Sequence, residues 1–304
     1  MTTRTVVARS RRDDRKASNE FAFTPEMIPA LDPNWSGSEF LREYHKRAWE
    51  TYVRLPMPTI RDEAWRRTDL RGLEAGTFRL PKATDLPGLP AAPKHLLRPL
   101  VDQAHGGQLV MQPNGIQYHL DTALADKGVI FTDLATAEQH HADKLTHIMG
   151  QVVSPDEGKF AALAAAFAKN GVFVYVPAGV NVESPLHSIL WGPGDGLAYF
   201  SHIIVWLDDG ASLTYVHEAA SPNSQGAQTL HAGNIELLIG EGASLKFVEL
   251  QSWGEHVWNF SHERARVSRD GNLDWIFGAL GSHLTKNFSE LELVGDGASG
   301  RMSG

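Results

Sequence analysis

The chain has 304 residues and no cysteine. It can form no disulfide, and it offers no thiolate to a structural zinc or an iron–sulfur centre. A cysteine-free chain is compatible with the cytosol, and a cytoplasmic protein is the expectation. No run of eighteen apolar residues occurs, so no helix of this sequence is long and apolar enough to cross a bilayer. Positive charge is also scarce: 28 Lys and Arg face 36 Asp and Glu, for a net charge of −8. That balance argues against a general nucleic-acid binder, which needs a basic surface to neutralise phosphates. Nucleotide chemistry has no vehicle either. The G-x-x-x-x-G-K-[ST] loop is missing; "GEGASLK" (240–246) comes nearest, with the wrong spacing. Any ATP hydrolysis must then come from a partner. The G-x-S-x-G elbow and the H-E-x-x-H helix are missing as well.

What is there is ordinary globular material, 42% apolar and 21% charged. The opening "MTTRTVVARSRRDDRK" carries six basic side chains without an apolar signal core, and residues 1–35 read as a flexible basic tail. A helical N-terminal region spans 36–97. Within it, 36–54 has apolar residues at helical spacing after a capping serine, and "LPMP" stops the helix. The stretch 62–73 predicts a second short helix, with Asp62 and Glu63 at its positive end. Four prolines between Pro81 and Pro93 mark a soft boundary. Residues 98–170 read as a mixed α/β lead-in. They hold a hairpin over 108–120, signalled by Asn114-Gly115, and helices near 133–148 and 157–169.

From Gly171 onward helical spacing gives way to short β-rich runs punctuated by glycine. "DDGASLTYVHE" (208–218) is nearly repeated by "GEGASLKFVEL" (240–250), and related corners stand at Gly179, Gly271 and Gly297 besides Gly210 and Gly242. The steps are 31, 32, 29 and 26 residues, an internal repeat. After each corner the residues alternate. Leu213, Tyr215 and His217 share one face; Leu245 and Phe247 match them in the next unit, and Leu273, Trp275 and Phe277 in the one after. Stacked in register, they would form aliphatic and aromatic columns. The fold class expected over 171–304 is therefore mainly β: a right-handed parallel β-helix, or β-solenoid, with loops such as 219–228 bulging out and incomplete at its C-terminal end. An antiparallel sandwich is the competing fold, but it has no reason to place the same phrase in every unit.

Histidine is the enriched functional candidate, with 14 copies, seven of them at 187, 202, 217, 231, 256, 262 and 283. With Glu218, Glu249, Glu255 and Glu263 nearby, His217, His256 and His262 are the candidate metal ligands, although their spacing carries no signature. Buried histidines bonded to backbone are the commoner outcome, and the tryptophans read as core. No catalytic and no cofactor-binding residue is assigned.

The stretch "AWETYVRLPMPTIRDEAWRRTDLRGL" (48–73) resembles the N-terminal signature of the SufB/SufD family of iron–sulfur cluster assembly proteins, most closely its SufD branch. "FAALAAAFAKNGVFVYVPAGVNVESPLH" (160–187) and "GALGSHLTKNFSELELVGDGA" (278–298) are similar to later parts of that family. The resemblance implies a β-helix with helical ends and a non-enzymatic scaffold role, pairing with a SufB-like homologue and a SufC-like ATPase. The complex would handle the iron–sulfur cluster and the ATPase would handle ATP, so this chain alone is expected to bind no cofactor. Lack of cysteine separates it from SufB, whose thiols are cluster-related. The family's ATPase dock and cluster-related residues would lie beyond residue 304, making this a C-terminally truncated member. The alternative is a carbohydrate-active lyase or hydrolase on a β-helix, which needs carboxylates aligned on one exposed sheet; the sequence shows no such ladder.

Overall fold

The computed structural model describes residues 20–82, 85, 89–98, 104–112, 115–192 and 194–304. Helix α1 (Glu39–Arg54) begins where Ser38 Oγ accepts a hydrogen bond from the Leu41 amide at 3.3 Å. It buries Leu41, Tyr44, His45, Ala48, Thr51 and Tyr52, an i, i+3, i+4 stripe, and ends at Leu55, before Pro56.

Two expectations for this N-terminal part need correction. The helix over 62–73 shrinks to a single 3₁₀ turn, Glu63–Trp65. Asp62 does not serve a helix; its carboxylate accepts from the Thr59 amide and hydroxyl at 2.7 and 3.2 Å and closes a turn. Only Trp65 is buried between residues 61 and 72, so no apolar stripe exists to stabilise a helix there. The flexible tail does not extend to residue 35. Residues 1–19 lie outside the described residues, but Phe21, Phe23, Ile28 and Ala30 are buried. Phe21 stacks on Phe23 at 5.5 Å and meets Phe160 edge-on at 6.2 Å, and these contacts hold the segment down.

The hairpin forms from β1 (Gly107–Gln112) and β2 (Gly115–Leu120), antiparallel in register Gly107↔Leu120 to Gln112↔Gly115. Residues 113 and 114, including the signalling Asn114, lie outside the described residues. Short elements follow: α2 (Thr122–Ala125), β3 (Ile130–Asp133), α3 (Leu134–His140) and α4 (Ala142–Ile148). Then α5 (Lys159–Phe167) buries Phe160 through Phe167 on every side, as its alanine-rich sequence demands.

The rest is a parallel β-solenoid of about five turns. Strands β5 (Leu186–Trp191), β7 (Ser212–Ala220), β9 (Ser244–Trp253), β11 (Asn272–Gly281) and β13 (Ser299–Ser303) line one sheet with β1 and β2. Strands β4 (Asn170–Val176), β6 (Ala198–Leu207), β8 (Thr229–Ile239), β10 (Val257–Val267) and β12 (Leu284–Leu293) line the other with β3. Each strand pairs with the strand two later, always parallel, which excludes the antiparallel sandwich.

The expected columns are present. Leu213, Leu245 and Leu273 share one register position, and Tyr215, Phe247 and Trp275 the next inward one. The Tyr215 and Phe247 rings stack 5.6 Å apart, and Phe247 and Trp275 lie 5.5 Å apart. Four of the five corner glycines, Gly179, Gly210, Gly242 and Gly297, have φ between +63° and +72°. That conformation is costly for a residue with a Cβ. The fifth corner is shifted by one: Asp270 takes φ +54°, and Gly271 does not have positive φ. The hydrogen bonds show why Asp270 is the equivalent position. Gly210 N donates to Glu241 O at 2.8 Å, Gly242 N to Arg269 O at 2.9 Å, and Asp270 N to Asp296 O at 2.9 Å.

A second core lies outside the solenoid. Helices α1 and α5 cover the outer face of the β4–β12 sheet, where Phe160 stacks on Phe260 at 3.8 Å beside Phe167, Phe200 and Ala232.

Candidate functional site

Two residues past Tyr215 and Phe247 the inward positions turn polar, while β11 keeps Phe277 at the same register position. Along β7 and β9 the same alternation that buries Tyr215 and Phe247 turns His217 and Glu249 inward, with Gln251 two residues further on. From the facing sheet come Ser201, His231, Asn259, Ser261, Glu263 and Ser289. These side chains form one polar layer inside the coils.

Its donors run in one direction. Ser201 Oγ donates to His231 Nε2 at 2.9 Å, and His231 Nδ1–H donates to Asn259 Oδ1 at 2.6 Å. Asn259 Nδ2 donates across the lumen to Gln251 Oε1 at 2.9 Å, and Gln251 Nε2 donates to Glu249 Oε1 at 3.1 Å. Asn259 fixes the direction: its amide nitrogen is committed to Gln251, so its oxygen must accept from His231. The run ends on Glu249, which lies beside Glu263. Glu263 in turn accepts from the Ser261 and Ser289 hydroxyls at 2.5 and 2.6 Å.

Burial pushes the Glu249 carboxyl well above the usual carboxylate range, and the neighbouring Glu263 charge pushes it further. Glu263 is raised too, chiefly by burial, but the hydrogen bonds from Ser261, Ser289 and Glu249 oppose that shift. Both shifts favour the protonated form, and Glu249 is displaced the more strongly of the two. The imidazoles of the layer are neutral: burial brings His217 down to about 3 and His231 down to about 4.

Ser188 and His217 make a contact of the nucleophile–base type, Oγ to Nδ1 at 2.8 Å. Both are buried, and Tyr215 Oη lies 2.6 Å from the same hydroxyl. The carboxyl pair fails the demand of glycoside cleavage, which places two separated carboxyls on either side of an accessible sugar bond. Glu249 and Glu263 are enclosed between the sheets.

Two further imidazole–carboxylate pairs lie on the outer faces of the coil. His187 Nε2 donates to Glu218 at 2.8 Å, Gln108 donates to His187 Nδ1 at 3.1 Å, and the His105 ring lies tilted against His187 at 4.5 Å. On the opposite sheet Glu236, fully buried, accepts from His202 Nε2 at 2.7 Å. It also accepts from the amides of Gly150, Val152 and Val153 at 2.7, 2.8 and 3.0 Å. Four donors on one carboxylate fasten the segment between α4 and α5 onto the solenoid.

The sequence candidates for a metal do not come together. His217 lies in the lumen, while His262 is on the outer face of β10, where its ring stacks on Phe288 at 4.7 Å. His256 sits in the turn before β10, with Asp195 3.7 Å from its Nε2. A common strand face for His256 and His262 fails because a turn precedes Val257. Among the described residues no three His, Cys, Asp or Glu groups are placed to hold a metal ion. Glu249 and Glu263, noticed in the sequence only as acidic neighbours of histidines, prove to be central to the layer. Period-two counting from Phe247 and from Ala265 would have turned both inward.

The two halves of the chain each match a family model. Residues 34–187 match the SufBD protein N-terminal region, and residues 190–304 match the SufBD core domain of SUF-system iron–sulfur cluster assembly. The chain belongs to the SufBD family. The junction between the two SufBD regions falls within β5, the first strand whose partners on both sides are parallel. An iron–sulfur cluster assembly SufBD family protein of Staphylococcus epidermidis is 28% identical over 297 residues, covering 93% of this chain. One of Staphylococcus saprophyticus is 25% identical over 296 residues, and one of Staphylococcus aureus is 30% identical over 185 residues, or 61% of this chain. The chain spans 62% of the length of the first two relatives. Among the described residues no helix is long and apolar enough to cross a membrane.

Proposed function

We propose that this chain is a non-enzymatic, cytoplasmic scaffold subunit of a SufBCD-type complex for iron–sulfur cluster assembly, in the role of SufD. It pairs with a SufB-like homologue and a SufC-like ATPase; the cluster is the cargo of the complex, and ATP is the ATPase's substrate. The observation that carries the reading is the pair of SufBD matches, which together account for the chain from residue 34 to 304 on a parallel solenoid. The lack of cysteine supports the SufD role over the SufB role, since this chain supplies no thiolate to a cluster. The layer inside the coils fits a structural subunit: its Ser–His contact and its carboxyl pair are both buried away from any substrate. Co-purification tests the reading. The tagged protein, expressed at the full length of its reading frame with the SufB-like and SufC-like proteins of its source, is expected to elute with both at fixed stoichiometry. Recovery of neither partner sinks it.

A further inference from the structure

Neither the lumen nor the helix packing uses most of the segment Leu55–Leu73. Its ends are fastened where Lys159 Nζ donates to Leu55 O at 2.8 Å and where Leu73 is buried, and its middle is pinned by Trp65, whose ring lies 5.6 Å from Phe160, 5.9 Å from Phe260 and 5.6 Å from Phe288. Around that pin nearly every side chain from Arg61 to Gly72 is exposed. Two cavities share the segment. One, of about 210 Å³, is lined mainly by apolar groups including Met57, Ile60, Leu70 and Leu73; Ile60 itself is 55% exposed. The other, of about 270 Å³, is lined by Arg66, Arg67, Thr68 and Lys286 with Glu63 as its one carboxylate. Lys286 reaches it from β12, with its ammonium 4.6 Å from the Phe288 ring centroid.

The acids of the segment are already committed. Asp62 is held by Thr59, Asp69 by Arg71 at 2.7 Å, and Glu63 reaches Arg66 only at 3.9 Å. Among the described residues Arg61, Arg67 and Lys286 meet no carboxylate within 4.0 Å. A cationic cavity next to an apolar one stands out on a chain of net charge −8. It fits a ligand that is negative and apolar at once. A polyphosphate chain would leave the apolar cavity unused.

We propose that this face docks an acidic peptide segment of a partner protein. An apolar side chain sits between Ile60 and Leu70, and carboxylates sit on Arg66, Arg67 and Lys286. The proposal stands independently of the scaffold reading, since it concerns a face that reading does not use. The test is selection of displayed random sixteen-residue peptides on the full-length protein, with affinities of the enriched peptides measured by fluorescence anisotropy. Enriched peptides are expected to carry several Asp or Glu residues beside a large apolar one. Their affinity should fall at least tenfold in the charge-reversed R66E/R67E/K286E protein, and severalfold in Ile60→Ser. Ile60, Arg66 and Arg67 are exposed and Lys286 is half-buried, and an unchanged melting temperature verifies that both variants fold. Failure to enrich, enrichment of peptides without acidic residues, or unchanged affinity in the triple variant overturns the proposal. Competition by millimolar inorganic phosphate with no effect of Ile60→Ser also overturns it, leaving a small-anion site in its place.

Discussion

The inside of the solenoid has two unlike halves. Near the glycine corners, Leu213, Leu245 and Leu273 and then Tyr215, Phe247 and Trp275 form dry columns; two residues on, His217, Glu249, Gln251, His231, Asn259 and Glu263 form a buried polar layer. Both halves obey the same strand alternation and are equally shielded from water. The difference shows what burial does to each chemistry. Burial stabilises the columns directly, at about 1.5–3 kcal/mol per large apolar side chain. The polar layer is tolerated because nearly every group finds a partner, and its remaining cost appears as displaced pKa values.

The largest expected effect is in the dry half. Phe247→Ala breaks the ring column between Tyr215 and Trp275 and is expected to cost about 3–5 kcal/mol in urea unfolding. A loss under 1 kcal/mol would mean the columns do not carry the stability assigned to them.

In the wet half the effects depend on pH. His231, at about 4 in the fold against 6.5 ordinarily, must be protonated to unfold in acid. Its folded value is lowered, so stability is lost as pH falls from 6.5 towards 4, by roughly 2–3 kcal/mol for this residue. His231→Gln is expected to flatten the slope of unfolding free energy against pH in that window, whatever it does to stability at neutral pH. An unchanged slope contradicts the buried neutral imidazole.

Glu249 acts with the opposite sign. Its folded value is raised, so stability is lost as pH rises above the ordinary carboxylate range. Glu249→Gln mimics the neutral acid and keeps an acceptor for Gln251 Nε2. The substitution is expected to stabilise the protein at pH 8 by about 1–2 kcal/mol, with the gain gone at pH 4. Melting temperatures at the two pH values decide it; destabilisation at both would show that the pair does not hold a proton.

The smallest effects compare the corners. Gly242, at φ +63° with open space where a Cβ would stand, is expected to lose about 1–2 kcal/mol as Gly242→Ala, from backbone conformation alone. Asp270, which occupies the same conformation with a side chain, is expected to gain under about 1 kcal/mol as Asp270→Gly. If Asp270→Gly destabilises, the corner positions are not equivalent.

The repeat was legible because its cause is local: a bend needs positive φ, glycine supplies it most cheaply, and the residues after it alternate. The misreading at Gly271 came from the same rule, since Asp270 can take that conformation and sequence cannot say which of two neighbours does. The overextended tail and the lost helix at 62–73 failed for a different reason. Phe21 and Phe23 find their partners at Phe78, Phe160 and Phe200, far along the chain, and Trp65 finds Phe260 and Phe288. Nothing near them in sequence announces those contacts.

The sequence by itself determined that there would be stacked coils, which residues would face inward, and that no thiolate chemistry could occur on this chain. Those properties follow from backbone sterics, from the period of a strand and from composition. Only the tertiary structure decided that Glu249 would meet Glu263, that Glu236 would gather His202 and three amides, and that Lys286 would join Arg66 and Arg67. Each of these groups comes from residues distant in sequence, and their charge states depend on burial and neighbours that exist only once the sheets face each other.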